Sequence, residues 1–465
     1  MSRIYDLTSG SIFKKIFTIA LPVLLTSISQ MAYNLTDMFW IGQVDEIGFS
    51  EPEALSAIGT AGYILWFAFG IILIAKIGIS VKVSHHAGVQ DFDGIRSNAS
   101  NGMILMAAMG ILTSLIIVGM RHPLIAMFRL ESANVYTEAV QYLSITGGFY
   151  FVVFLINGFT SINEGLGKTA LNMKILPIGL ALNMILDPLM ILTFRMGILG
   201  AAWATVISQA VTLSVFVFLY ARSHQKIFSF HRDAFRWKTT KELLRIGFPV
   251  GLQSMFMTTF STIIGIMAVS YGDSVFAGQR VGSQIEQFTW MIAGGFQTAL
   301  TVFVGQNFGA KNGKRIRKGT VWLSAILIPY SLVVAAAFVL FPEMLIRIFL
   351  NNDEETIRYG AEYLRIISFS QLFMMLEGIG AGLFNGIGKT KIPSISGIIG
   401  NVIRVPLALW LSVSMAQRGI WWSLNISDGF KGIFLLLAGI IALSRIDKII
   451  NRPPKTPLSP ALSTD

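Results

Sequence analysis

Twelve separate stretches of this chain are long and apolar enough to cross a bilayer, and nothing else in the sequence constrains the fold as strongly. A spanning helix needs about 20 mostly apolar residues. Residues 16–40, 56–77, 98–119, 138–160, 174–194, 200–221, 246–270, 284–305, 319–341, 360–384, 393–413 and 420–443 meet that condition. Hydrocarbon offers no partner for a bare N–H or C=O, so segments of this length must satisfy their own backbone as helices. The expected fold is an all-α membrane protein. Only 13% of residues are charged, about half the share of a soluble domain. The chain has no cysteine, which excludes disulfide frameworks, thiolate metal sites and cysteine nucleophiles.

The first stretch follows Lys14 and Lys15 and is too long, and too polar towards its end, for a signal-peptide core. It is read as a retained span. Twelve spans put both termini on one side. The segments on that side carry more than three times as many Lys and Arg residues as those on the other. By the positive-inside rule both termini are cytoplasmic. The same bias accounts for the net charge of +11: the basic loops face anionic lipid rather than nucleic acid.

The chain is expected to divide into an N-lobe (1–221), a cytoplasmic linker loop (222–245), a C-lobe (246–443) and a disordered cytoplasmic tail (444–465). The linker has a basic-aromatic stretch from Phe228 to Trp237, suited to the membrane surface. The tail is rich in Pro and Ser.

The two lobes are copies. IALPVLL at 19–25 resembles IGFPVGL at 246–252. ISVKVSHHAGVQDFDGIR at 79–96 resembles LTVFVGQNFGAKNGKRIR at 300–317. EGLGKT at 164–169 resembles NGIGKT at 385–390, and LNMILDPL at 182–189 resembles GNVIRVPL at 400–407. The matches keep their order at offsets of 227, 221, 221 and 218 residues. A duplicated six-span unit enters the membrane twice in the same orientation. The lobes are then related by a pseudo-two-fold along the membrane normal, with the gap between them as the substrate route. The Gly-Lys-Thr segments lack phosphate-loop spacing. They read as turns with a cytoplasmic lysine, and the driving energy is expected from an ion gradient.

Ionisable residues at membrane depth are costly and mark functional positions. Asp37 lies deep in the first span. With Thr26, Gln30, Tyr33 and Asn34 it forms a polar stripe at helical spacing, downstream of a kink expected at Pro22. The fifth span carries Asn183 and Asp187 one turn apart, followed by Pro188. The sixth carries Thr205, Ser208 and Gln209, and the fourth carries Tyr142. Across the repeat Asn183 aligns with Asn401, but Asp37 aligns with Ile264 and Asp187 with Val405. The carboxylates therefore occur in one copy only, which places a cation site in the N-lobe. Two carboxylates in a poorly solvated pocket favour a proton or a sodium ion as neutraliser. For sodium, Asp37, Asn183 and Asp187 are the expected oxygen ligands. Glu377 is a possible second acidic site. Asp428 and Lys431 are expected to neutralise each other, Arg365 and Arg404 to meet carboxylates or headgroups, and Lys76 to reach the cytoplasmic edge.

The segments ALPVLLTSISQMAYNLTDMFWIG, LNMILDPLMI with GILGAAWATVISQ, and the paired loops ending HHAGVQDFDGIR and QNFGAKNGKRIR resemble the multidrug and toxic compound extrusion (MATE) family over about residues 10–445. The resemblance implies twelve helices in two six-helix lobes forming a V. It also implies antiport of small, often cationic and amphipathic compounds against sodium ions or protons. The family's prokaryotic N-lobe cation site falls here on Asp37, Tyr142, Asn183, Asp187 and Thr205, and its bending proline on Pro22. The helix-seven acid of members with a C-lobe site is missing: Met257 stands near that place, with Gln253, Thr258 and Thr259 around it. Expected partners are a small-molecule substrate, the coupling cation and membrane lipids, with no cofactor, no nucleic acid and a monomeric state. A lipid or lipid-linked oligosaccharide flippase is the alternative, and would want more cations at depth. An intramembrane enzyme is disfavoured, because all five histidines map to loops or helix ends.

Overall fold

The computed structural model describes residues 4–41, 51–130, 132–222, 235–350 and 353–451, without the side chains of residues 33–35, 37, 38, 51 and 52. The first half comprises α1 (Ile12–Ile41), α2 (Glu51–Gly88), α3 (Phe92–Gly119), the short α4 (Arg121–Ala126), α5 (Ala133–Gly148), α6 (Tyr150–Gly165), α7 (Thr169–Pro188) and α8 (Gly197–Arg222). The second comprises α9 (Trp237–Val269), α10 (Asp273–Gly309), α11 (Gly313–Leu340), α12 (Pro342–Arg347), α13 (Glu354–Ile367), α14 (Ser370–Gly386), α15 (Lys391–Met415), α16 (Gln417–Ser444) and the short α17 (Ile446–Ile450). Among the described residues ten helices are each long and apolar enough to span a membrane, and the bent pairs α5–α6 and α13–α14, each counted as one span, would bring the number to twelve. Helix α9 starts inside the segment expected as a linker, so its last residues, from Trp237 on, are already helical.

The duplication is visible in how the helices begin. The Asp91 carboxylate accepts the Gly94 amide at 2.9 Å to cap α3, and the Asn312 side chain accepts the Arg315 amide at 3.1 Å to cap α11. Ser132 caps α5 through the Val135 amide, and Asp353 caps α13 through the Thr356 amide. Both pairs of caps stand 221 residues apart. Each satisfies one of the donors that a helix start leaves open. The two bent spans are also repeat mates, with angles of 42° at Phe149 and 52° at Ser368–Phe369. Neither break contains proline. Gly147 and Gly148 precede the first, and Ser368 and Ser370 flank the second, the small and hydroxyl residues that loosen a helical ladder.

Each half has its own apolar core, and the start of α1 (Ile16, Ile19, Ala20) is buried with the second half's Phe296, Leu300 and Phe303. The halves also meet at the end assigned to the cytoplasm. There Gly88 lies against the Gln306 backbone and Gly309 against the His85 backbone, so closely that a Cβ on either glycine would collide with the carbonyl opposite. Gly88 and Gly309 are repeat mates, as are His85 and Gln306. The pseudo-two-fold therefore passes through this contact. A strap of residues 5–10 seals the same end. The Tyr5 amide donates to the Leu166 carbonyl at 2.9 Å and the Leu7 amide to Gln306 Oε1 at 3.0 Å. The Arg315 guanidinium donates to the carbonyls of Leu7, Ser9 and Gly10 at 2.8–2.9 Å.

Candidate functional site: a polar cavity in the first half

Helices α1, α2, α6, α7 and α8 enclose a cavity of about 360 Å³, within the usual range of small-molecule sites, roughly 300–1,000 Å³. Thr26, Ser27 and Gln30 line it from α1. Asn183 lines it from α7, and Thr205, Ser208 and Gln209 line it from α8. Sequence spacing places Thr26, Gln30, Asn183, Thr205, Ser208 and Gln209 on membrane-depth polar faces, and the structure adds Ser27. The structure brings them to one space.

The head of α7 chemistry is the pair Asn183 and Asp187, one turn apart and both buried; Asn183 Nδ2 donates to Asp187 Oδ1 at 3.1 Å. That bond leaves Asn183 Oδ1 without a hydrogen-bond partner among the described residues, and Ser208 Oγ on α8 is likewise unpartnered. Unspent oxygens in a buried site suit a hard cation, which prefers oxygen ligands. Immediately after Asp187, Pro188 ends the regular ladder and Leu189–Thr193 runs on as a π-helical turn, a local departure common at functional sites. Tyr142 is buried on α5 in the core of the same half, and Pro22 is buried inside α1. The α1 backbone is helical through position 41, but the side chains of Tyr33, Asn34 and Asp37 lie outside the described residues.

Two features of this half were not legible beforehand. Lys76 has an acidic partner in the fold. Its ammonium faces Glu164 Oε1 at 3.6 Å, and both residues line the cavity. Below them Asn163 and Asn172 join side chains at 2.7 Å, and Tyr220 donates to Asn163 Oδ1 at 2.6 Å.

The second half treats its charges differently. Lys431 Nζ lies 2.9 Å from Asp428 Oδ1 and 3.0 Å from Glu377 Oε2, and Arg404 Nη2 lies 2.9 Å from the same Asp428 oxygen. The expected pairing of Asp428 with Lys431 is present, Arg404 meets a carboxylate as expected, and Glu377 is held by an internal ammonium. Arg365 pairs with Glu343 at 3.2 Å. Glu286, unnoticed in the sequence because its neighbours read as an ordinary apolar span, accepts the Tyr363 hydroxyl at 2.8 Å.

Duplicated helices in two lobes, inner glycine contacts on the two-fold, and a polar cavity within the first lobe define a class of polytopic membrane transporter. The MatE family model matches the chain twice, over residues 22–189 and 249–410, which together make up more than half of it. The chain belongs to the MATE family. It is 26% identical over 420 residues to the probable multidrug resistance protein NorM of Thermotoga maritima, covering 88% of this chain and 87% of that one. It is 26% identical over 433 residues to the probable multidrug resistance protein YpnP of Bacillus subtilis, covering 92% and 95%. Its fold is similar to that of a multidrug resistance MATE family transporter in an outward-facing conformation, with a TM-score of 0.87 at 22% identity over 96% of this chain and 99% of that one. It is also similar to a MOP superfamily transporter of Pyrococcus furiosus described as having a binding pocket of reverse polarity, with a TM-score of 0.86 at 21% identity over 96% and 99%.

Proposed function

We infer that the chain is a multidrug efflux antiporter, exporting small amphipathic, often cationic compounds in exchange for protons or sodium ions by alternating access of its two lobes. The observation that carries this reading is the Asn183–Asp187 pair beside a polar cavity in one lobe. Its repeat counterpart is Asn401 with Val405. The scaffold asparagine is kept in both copies and the carboxylate in one. A shared scaffold does not require that asymmetry, whereas a single coupling site does.

Asn183 Oδ1 and Asp187, with Asp37 contributed by α1, would supply the oxygens for sodium, and either carboxylate would carry a proton. Thr205 and Tyr142 complete the set. Neutralising Asp37 changes the cost of burying the α1 polar stripe, and Pro22 is where that helix would bend. Ion and substrate then bias the same two-state element in opposite directions, which is what coupling requires. Both termini are cytoplasmic, the protein acts as a monomer among lipids in a prokaryotic plasma membrane, and residues 222–236 link the lobes.

The test is dye efflux from proteoliposomes under separately imposed sodium and pH gradients. One gradient drives efflux in the unmodified protein, and Asp37→Asn and Asp187→Asn each abolish the driven component while the protein still inserts and folds. Undiminished transport in either variant would refute the coupling role. A flippase for pyrophosphate-linked lipids gains no support, since Arg404 and Lys431 are both engaged by carboxylates.

A further inference from the structure

Two sets of buried ion pairs differ in a way that points to a ligand. In the second half the contacts are short, 2.9, 2.9 and 3.0 Å, and the Lys431, Asp428, Arg404 and Glu377 side chains are 4%, 5%, 9% and 15% exposed. In the first half Lys76 and Glu164 stand 3.6 Å apart, 21% and 11% exposed, and the space they face is the polar cavity. At 3.6 Å the pair falls outside hydrogen-bond range. Among the described residues neither side chain has a hydrogen bond in its place. An ammonium has three donors and a carboxylate about four acceptor positions. Both groups therefore turn unspent hydrogen-bonding capacity into the cavity, from opposite charges held on two different helices.

The repeat argues against a packing role. At the 221-residue offset Lys76 corresponds to Gln297 and Glu164 to Asn385. The scaffold accepts neutral amides at both positions. The charges appear only in the half that holds the cavity.

We propose that Lys76 and Glu164 form a subsite for a zwitterionic headgroup, with the Lys76 ammonium receiving a carboxylate and Glu164 an ammonium of the same small molecule. The proposal rests on the efflux reading and names the chemical class of cargo it favours: compounds in which a carboxylate lies beside a protonated amine, attached to an apolar body. The apolar body lies along Phe69, Val153, Ile156 and Leu176, which line the same cavity. A zwitterion entering between the two groups replaces one loose ion pair with two charge-assisted hydrogen-bonded pairs, so no charge is left uncompensated. A plain cation satisfies Glu164 but is set against the Lys76 ammonium.

The probes are Nε-dansyl-lysine and dansylcadaverine, which share fluorophore, chain and amine and differ by the carboxylate. Their binding to purified full-length protein in detergent is read from dansyl fluorescence with no ion gradient, so a failure of coupling leaves this measurement intact. The unmodified protein binds dansyl-lysine more tightly. Lys76→Gln, the second half's own residue, weakens dansyl-lysine about tenfold or more, as loss of a charged hydrogen bond does, and leaves dansylcadaverine unchanged or tighter. Glu164→Asn weakens both. The double variant Lys76→Gln/Glu164→Asn copies the second half at both positions, keeps the fold by thermal melting, and loses the preference between the probes. An unchanged preference in folded Lys76→Gln, or equal binding of the two probes by the unmodified protein, overturns the proposal. Preserved probe preference with no gradient-driven efflux would sink the antiport reading alone.

Discussion

Tyr363 donates its hydroxyl to Glu286 at 2.8 Å inside the second half, and its repeat mate 221 residues earlier is Tyr142. One tyrosine position thus serves both lobes, but in the second its partner is a carboxylate with no counterpart in the first, where Leu65 stands at the Glu286 position. Tyr363→Phe removes the donor and leaves the shape. The expected cost is about 1–3 kcal/mol, the penalty of stranding a buried acceptor. It is measured as a lower melting temperature in detergent, with the dansyl-probe preference unchanged.

Lys431 is the hinge of the second half's charge cluster. Removing its ammonium by Lys431→Met leaves Asp428 with Arg404 and leaves Glu377 without its partner. Breaking a buried pair from one side costs roughly 3–5 kcal/mol, whereas replacing both sides with apolar groups is often neutral. Lys431→Met should therefore melt well below the unmodified protein, and Lys431→Met/Glu377→Leu should recover most of the loss. If the double variant were no better than the single one, the pair would not be the source of the defect.

The Gly88–Gln306 and Gly309–His85 contacts give a direct handle on how the inner face closes. A methyl at either glycine meets a backbone carbonyl rather than a flexible side chain, so the halves must separate. Gly88→Ala and Gly309→Ala should each increase thiol labelling of a cysteine introduced at Ser84, which is fully buried here. The chain's lack of native cysteine makes that readout clean. Labelling no faster than in the Ser84→Cys parent would show that the inner face tolerates the added bulk.

Asp353 supplies a pH-dependent contribution outside the membrane. The hydroxyl and then the amide of Thr356 donate to its carboxylate and hold its pKa below the ordinary value. A depressed folded-state pKa stabilises above the unfolded value and loses that contribution as pH falls through the folded one. Asp353→Ala should lower the melting temperature at neutral pH, and the gap from the unmodified protein should shrink as pH drops below about 4.

Spans, duplication and the Asn183–Asp187 face are legible in the sequence because hydropathy, period and repeat are properties of neighbouring residues. Pairings across helices are not. Nothing near Lys76 indicates Glu164, 88 positions later, and a lysine near the inner end of a span reads as one bound for the headgroups. The breaks at Phe149 and Ser368–Phe369 carry no proline, so a hydropathy window runs straight through them. Glu286 is hidden for a similar reason: one acid barely changes the mean of an apolar stretch. Asn183 and Thr205 could be set on the right helices from the chain alone, but the cavity they line is a product of five helices meeting.

The mutual glycine contact at the inner face has the geometry of an isologous interface: position 88 presses on position 306, and its mate 309 presses on 85, the mate of 306. Two separate six-helix subunits would reproduce it unaided, since a patch that fits its own copy under a half-turn needs no second sequence. The contact itself then does not demand that the halves be joined in one polypeptide. In one polypeptide the two copies need not stay alike: the first carries Lys76, Glu164 and Asp187 where the second has Gln297, Asn385 and Val405, and the second carries Glu286 where the first has Leu65.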